Sequence, residues 1–115
     1  MITLFAWLTS PTSSHAASLG YSVSTEATWV HSMFENRLMA NGEPYNAKRL
    51  TAASNYFDLG DQVLVTFGRK CVVVEITDRM RKDKIGIDLS SRAFQELAPL
   101  PRGRIKVTVQ RIIHE

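Results

Sequence analysis

Gly68-Arg69-Lys70-Cys71-Val72-Val73-Val74-Glu75-Ile76-Thr77-Asp78-Arg79 is a turn, then a strand, then an acid where the strand stops. Period-2 alternation puts Val72, Val74 and Ile76 on one face and Val73, Glu75 and Thr77 on the other. Asp78 continues the parity of the apolar face. A carboxylate aimed there is either tied down by hydrogen bonds or held partly desolvated, with its pKa raised. The plain alternative, an acid capping the next turn, fits the composition equally well. Cys71, inside the strand, reads as a small core residue.

Working outward, residues 62–67 form a second alternating strand. Phe67-Gly68-Arg69 is a tight connection between the two, so they are predicted to form a hairpin. Upstream, residues 21–29 read as a strand with Thr25, Ala27 and Trp29 on one side. Residues 31–45 are loop-like, punctuated by Asn36, Asn41-Gly42 and Pro44, and residues 50–53 are a short apolar segment. Downstream, residues 80–84 are a charged loop and residues 85–88 a brief strand. Ser90 is a predicted N-cap for a two-turn helix over residues 90–97, with Ala93, Phe94 and Leu97 as its buried stripe and Pro99 and Pro101 beyond it. Residues 104–112 alternate again, with Ile105, Val107 and Val109 inward. Short strands, one short helix and glycine turns predict a small, mostly β barrel.

The 115 residues suffice for one compact domain and are too few for two. Fourteen Lys and Arg against eleven Asp and Glu give a net charge of +3. That excess suits an anionic polymer such as a cell-wall glycan, suits nucleic acid as well, and is too small to choose between them. Arg79, Arg81, Lys82 and Lys84 cluster near the acid, in a run of the kind that is usually a solvated loop. The single cysteine excludes an intramolecular disulfide and a multi-cysteine metal site. His15, His31 and His114 show no ligand spacing, so no metal is expected.

Residues 1–20 differ from the rest. An apolar run over residues 2–8 is followed by Ser14-His15-Ala16, a small-x-small pattern like the end of a secretory signal that lacks its basic start. The run is too short to span a bilayer, and no cysteine follows it to carry a lipid. The expected organisation is a signal segment or disordered tail over residues 1–20, then a folded domain over residues 21–115.

Four segments in order resemble the rare lipoprotein A (RlpA) family. Ala27-Thr28-Trp29 is similar to its opening Ala-Ser-Trp/Tyr. Ala40-Asn41-Gly42-Glu43-Pro44-Tyr45 is similar to its Ala-Asn-Gly-Glu-x-Tyr/Phe loop, with Leu50-Thr51-Ala52-Ala53 following at the family spacing. Residues 68–79 resemble its Gly-Arg-x-Val-Val-Val-x-Val-x-Asp-Arg strand, and Ile87-Asp88-Leu89-Ser90 its Ile-Asp-Leu-Ser helix start. The resemblance covers residues 27–112. It implies a six-stranded double-psi β-barrel with one short α-helix, monomeric and free of cofactors. It also implies an exported lytic transglycosylase acting in the periplasm or cell envelope on peptidoglycan glycan strands, alongside cell-division or cell-wall proteins and not on nucleic acid. Asp78 is then the general acid/base, Glu43 its assistant, and Asn41, Ser54, Arg79, Asp88 and Tyr45 the substrate contacts. The chain departs from the pattern at Ser54, where the family has histidine, and at Met80-Arg81-Lys82, where it has Gly-Pro and an aromatic in a loop about one residue longer.

Ordinary glycosidases need two carboxyls flanking the scissile bond. A lytic transglycosylase can work with one, which protonates the glycosidic oxygen and then takes the proton of the muramic acid C6 hydroxyl as that oxygen attacks the anomeric carbon. Asp78 on the apolar face has the desolvation this asks for. Glu43, held by Asn41-Gly42, reads either as a stabiliser of the oxocarbenium ion or as a solvated loop-tip acid. Asp88, ahead of a helix, favours the helix dipole and its free amides. Trp29 and Tyr45 are candidates for stacking on sugar faces, with core packing the stronger reading for Trp29. A barrel that binds glycan or a cell-wall partner without cleaving is the second function class.

Overall fold

The computed structural model describes residues 18–114. The apolar run over residues 2–8 and the small-x-small pattern lie outside the described residues. The strands are β1 (Ser18–Trp29), β2 (Thr51–Ser54), β3 (Gln62–Phe67), β4 (Lys70–Asp78), β5 (Ile87–Leu89) and β6 (Ile105–Ile113), with one short helix, α1 (Ser91–Gln95), between β5 and β6. They close into a barrel in the order β1-β5-β2-β4-β3-β6, and β6 returns to β1. Among the described residues closure leaves no free sheet edge. This is the predicted six-stranded barrel with one short helix.

The sequence reasons for the long strands hold. β3 and β4 pair antiparallel with Phe67 opposite Lys70, which leaves Gly68-Arg69 as a two-residue turn. Gly68 takes a φ of 61°, which suits the first position of a tight hairpin turn whose twist matches its strands. Val63 and Val65 of β3, Val72, Val74 and Ile76 of β4, and Ile105, Val107 and Val109 of β6 all point into the core. Phe94 and Leu97 are buried with them, so the α1 segment closes the interior from one side. Ser90 caps α1 as expected, its side chain accepting the Ala93 N–H at 3.2 Å.

Two expectations need correction. Cys71 is exposed, not in the core. It stands one residue before inward Val72, so alternation turns it out beside Val73, and strand parity overrides the general preference of cysteine for burial. β1 starts at Ser18, three residues ahead of the strand expected from Tyr21, because β6 continues far enough to pair Ser18 with Ile113.

β1 and β5 run parallel, with Ala27, Thr28 and Trp29 opposite Ile87, Asp88 and Leu89. Gly86 makes their approach possible. It is buried at a φ of 111°, and a Cβ there would stand 2.9 Å from the Glu26 carbonyl oxygen. Gly86→Ala is therefore expected to cost roughly 1–3 kcal/mol, for the positive φ and the backbone clash together. A urea-unfolding midpoint unchanged from the parent would contradict this.

Candidate functional site

The mid-strand pairings line up one row of side chains across the outside of the barrel. Thr28 of β1 pairs with Asp88 of β5, Asp88 with Ala53 of β2, and Ala53 with Asp78 of β4. Cross-strand partners share a face, so the row presents two acids with a methyl group between them. Two inter-strand spacings put their Cα atoms about 10 Å apart. Ala53 keeps the space between them open, where a larger side chain would fill it.

Asp78 reaches this face through a bulge. Ala52 pairs with Ile76 and Ala53 with Asp78, so Thr77 is an extra residue in β4. Thr77 is buried beneath the loop before β2, its hydroxyl 3.2 Å from the Met39 sulfur on the groove side, and the parity of the strand shifts after it. Asp78 is therefore not on the core face as the alternation predicts. It faces out and is tied down: its Oδ1 accepts the Ala40 N–H at 2.9 Å and the Arg79 N–H at 2.8 Å.

The desolvated acid of the row is Asp88. Burial pushes its pKa up, the hydrogen bond from Thr28 and the charge of Lys84 oppose the rise, and the negative charge of Asp78 adds to it. Thr28 Oγ1 donates to Asp88 Oδ1 at 2.9 Å. Asp88 does not serve the helix: it lies within β5, and the cap of α1 is Ser90.

Around the row lies a groove of about 640 Å³. The loop between β1 and β2 forms one wall with Phe34, Leu38 and Met39, and the loop after β4 forms the other with Arg79, Met80 and Lys84. Tyr45 lines the groove but is buried, and its hydroxyl accepts the Ser91 N–H at 3.3 Å. Burial raises its pKa, hydrogen bonds from Ser91 lower it, and the charges of Glu35 and Asp88 raise it again. A ring held this way braces the wall and offers no open face for stacking.

Of the other predicted contacts, Arg79 lies beside Asp78 in the groove wall, while the side chains of Asn41, Glu43 and Ser54 do not line the groove. Asn41 and Glu43 form an exposed turn in which Asn41 Oδ1 accepts the Glu43 N–H at 3.0 Å and Asn41 Nδ2 donates to Glu43 Oε1 at 3.4 Å. Neither lines the groove. Their turn holds the preceding residue, Ala40, whose amide binds Asp78. Ser54 is 0% exposed, and its Oγ accepts the Tyr56 N–H at 3.0 Å, so it closes a turn and does not line the groove. Arg79 donates through one nitrogen to the carbonyls of Ser54, at 2.8 Å, and Phe57, which fastens that turn to β4. Trp29 packs against the core and donates to the Leu100 carbonyl at 2.9 Å. His31 stacks on it at 6.1 Å and does not line the groove.

Thr28, Ala53 and Lys84 are the site residues that sequence reasoning passed over. Thr28 was open to inference, since Ala27 and Trp29 point inward and alternation turns Thr28 out. What it faces depends on the parallel pairing of β1 with β5, which no local pattern announces.

The profile of the lytic transglycolase family, described as "Lytic transglycolase", matches residues 26–109. An uncharacterized protein of Synechocystis sp. is 42% identical over 88 residues, covering 75% of this chain and 94% of that protein. The endolytic peptidoglycan transglycosylase RlpA of Haemophilus influenzae is 36% identical over 87 residues, covering 73% of this chain but only 30% of that longer protein. Among solved structures, a Streptomyces papain inhibitor superposes with a TM-score of 0.68 at 25% identity, over 84% of this chain and 97% of that one. The Clavibacter michiganensis expansin superposes with a TM-score of 0.64 at 22% identity, over 79% of this chain and 50% of that one. A mutant of that expansin, solved in complex with cellohexaose, gives 0.65 at 20% identity over the same shares.

Proposed function

Because the chain belongs to the lytic transglycolase family of double-psi β-barrels, we propose that it cleaves peptidoglycan glycan strands to 1,6-anhydro-muramyl ends in the groove over Asp78 and Asp88. The observation that carries this reading is the pair of carboxyls facing one open groove across Ala53. The RlpA relative, named an endolytic peptidoglycan transglycosylase, supports the substrate and bond. The expansin complex with cellohexaose supports a sugar chain as the class of ligand.

In this mechanism Asp88 carries the proton, because burial favours its neutral form. It protonates the glycosidic oxygen, the C–O bond breaks with its electron pair on that oxygen, and positive charge develops at the anomeric carbon. Asp78, its Oδ1 fixed by two backbone amides, faces that charge. The C6 hydroxyl oxygen of the same muramic residue then bonds to the anomeric carbon, and its proton returns to Asp88. No water is consumed, and the acid ends as it began. The sequence pointed to Asp78 for the proton; burial supports Asp88 instead, and the Thr28 bond fixes its orientation. The substrate lies outside the cytoplasm, so export belongs to the same proposal, and cell fractionation tests it.

The direct experiment incubates the protein with purified peptidoglycan and with peptide-free glycan, followed by mass analysis. Anhydro ends, lighter by one water than hydrolysis products, are expected. Glu43→Gln is expected to slow turnover by less than about tenfold, since Glu43 stands off the groove and one distant charge supplies only part of the stabilisation. A loss as large as that of either aspartate would put Glu43 back among the catalytic groups.

A second reading, a barrel that binds glycan or a cell-wall protein without cleaving, is favoured by the papain inhibitor, a protein of nearly the same extent whose name describes binding. Retained glycan binding with no anhydro product from the parent protein would select it.

A further inference from the structure

The Asn55 carboxamide is exposed, yet both its ends are committed to a single loop. Its Nδ2 donates to the carbonyls of Arg81 at 2.8 Å and Lys84 at 3.3 Å, and its Oδ1 accepts the Met80 N–H at 3.1 Å. The loop is closed on itself by the Lys84 N–H donating to the Arg81 carbonyl at 2.9 Å. At its far end it enters β5 through Gly86, which is packed under the Glu26 carbonyl. The Arg81–Asp83 ion pair within the loop is 3.7 Å long and solvent-exposed, so it does little to hold the shape.

Between these two anchors stands Lys84, which lines the groove with Asp88. The groups facing the Asp88 carboxyl are Thr28 from β1, Asp78 from β4, Tyr45 from the loop before β2, and Lys84. The other cations of the groove are engaged elsewhere. Arg79 holds the carbonyls of Ser54 and Phe57, Arg37 lies 5.2 Å from the Phe34 ring centroid, and Arg81 pairs with Asp83. Lys84 is thus the cation whose placement bears on the acid, and that placement depends on a loop with few fastenings.

Resting on the reading that Asp88 is the proton carrier, we propose that Asn55 is a positioning residue: it clamps the 80–84 loop so that Lys84 keeps its place in the wall of the groove it shares with Asp88, and thereby sets how readily that acid gives up its proton. Asn55 touches no substrate. It acts through Lys84, whose positive charge favours the ionised carboxylate and offsets part of the cost of burying it.

The test follows the Asp88 side-chain carboxyl carbon by NMR across pH in aspartate-labelled protein, a measurement that needs no turnover. Lys84→Met is expected to move the Asp88 titration to higher pH, and Lys84→Arg to restore it. Asn55→Ala is expected to move it in the same direction, and to add nothing in the Lys84→Met background, since the clamp acts only through that charge. In turnover assays the alkaline limb of the pH profile moves up with the same variants. An Asp88 titration unmoved in Lys84→Met, or an Asn55→Ala shift that persists without Lys84, overturns the proposal. Should the titrations move as stated while no protein yields anhydro ends, the cleavage reading falls and the clamp stands.

Discussion

On the proposed function, Asp88→Asn is expected to remove glycan cleavage and to leave a more stable protein at neutral pH. The amide is nearly isosteric, and its oxygen can still accept the Thr28 hydroxyl, so the groove keeps its shape. It cannot carry and return a proton, so turnover should fall by roughly two to four orders of magnitude, the range general acid–base catalysis supplies. The stability effect has a definite sign. Burial raises the native pKa of Asp88 above that of the unfolded chain, so between those two values the native state binds more protons. Stability contributed by the protonated form is present at low pH and is lost as pH rises through that window. The asparagine variant avoids that loss. Its thermal midpoint should match the parent in acid and exceed it at neutral pH, the trade between activity and stability expected of an active-site charge. The simple helix-start reading of Asp88 gives the opposite sign, a loss of about 1 kcal/mol on substitution. A lower midpoint for the variant at neutral pH would sink the assignment.

Asp78→Asn is the second large loss. The new amide oxygen can keep both backbone bonds, from Ala40 and Arg79, with its NH₂ turned to the groove, so folding is preserved. What disappears is the negative charge facing the anomeric carbon, and cleavage should drop by roughly two to three orders of magnitude. There is a signature at Asp88 as well. Asp78 is a like charge that raises the Asp88 pKa, so its removal should move the alkaline limb of residual activity to lower pH. Unchanged turnover in this variant would remove Asp78 from the mechanism. A limb that moves the other way would mean the two carboxyls are not coupled as the row implies.

The barrel is legible in the sequence wherever period-2 alternation is long and unbroken. β3, β4 as far as Ile76, and β6 all show their inward faces directly, and Gly68 and Ser90 announce their turn and cap. The site is legible in its parts and not in its assembly. Asp78 stands out as an acid at a strand end, but the extra residue at Thr77 reverses its direction, and a bulge leaves no mark in a hydrophobic pattern. Asp88 was visible as an acid before a helix and, through the resemblance, as a substrate contact, but what sets its environment is its place between Thr28 and Ala53 on strands far away in the chain. Ser54 looked like the substitute for a missing histidine, yet its hydroxyl is spent on the Tyr56 amide. Lys84 belonged to a run of charges, and nothing local separated it from Arg81 or Lys82. Cys71 shows the reverse failure: the alternation around it was sound, and a residue-type preference was set above it.

The order in which the chain is made has a bearing on when this site can act. Thr28 and Asp88 are 60 residues apart, yet their strands lie side by side, and the ring is shut only when β6 joins β3 to β1. Contacts of such long range form late, since the entropy of closing the intervening chain must be met before they return anything. A chain leaving the ribosome has Thr28, Ala53 and Asp78 in hand well before Asp88, and all of them before the last strand. The assembled groove is therefore withheld from every unfinished copy. It is completed by the nine residues of β6, none of which lines it.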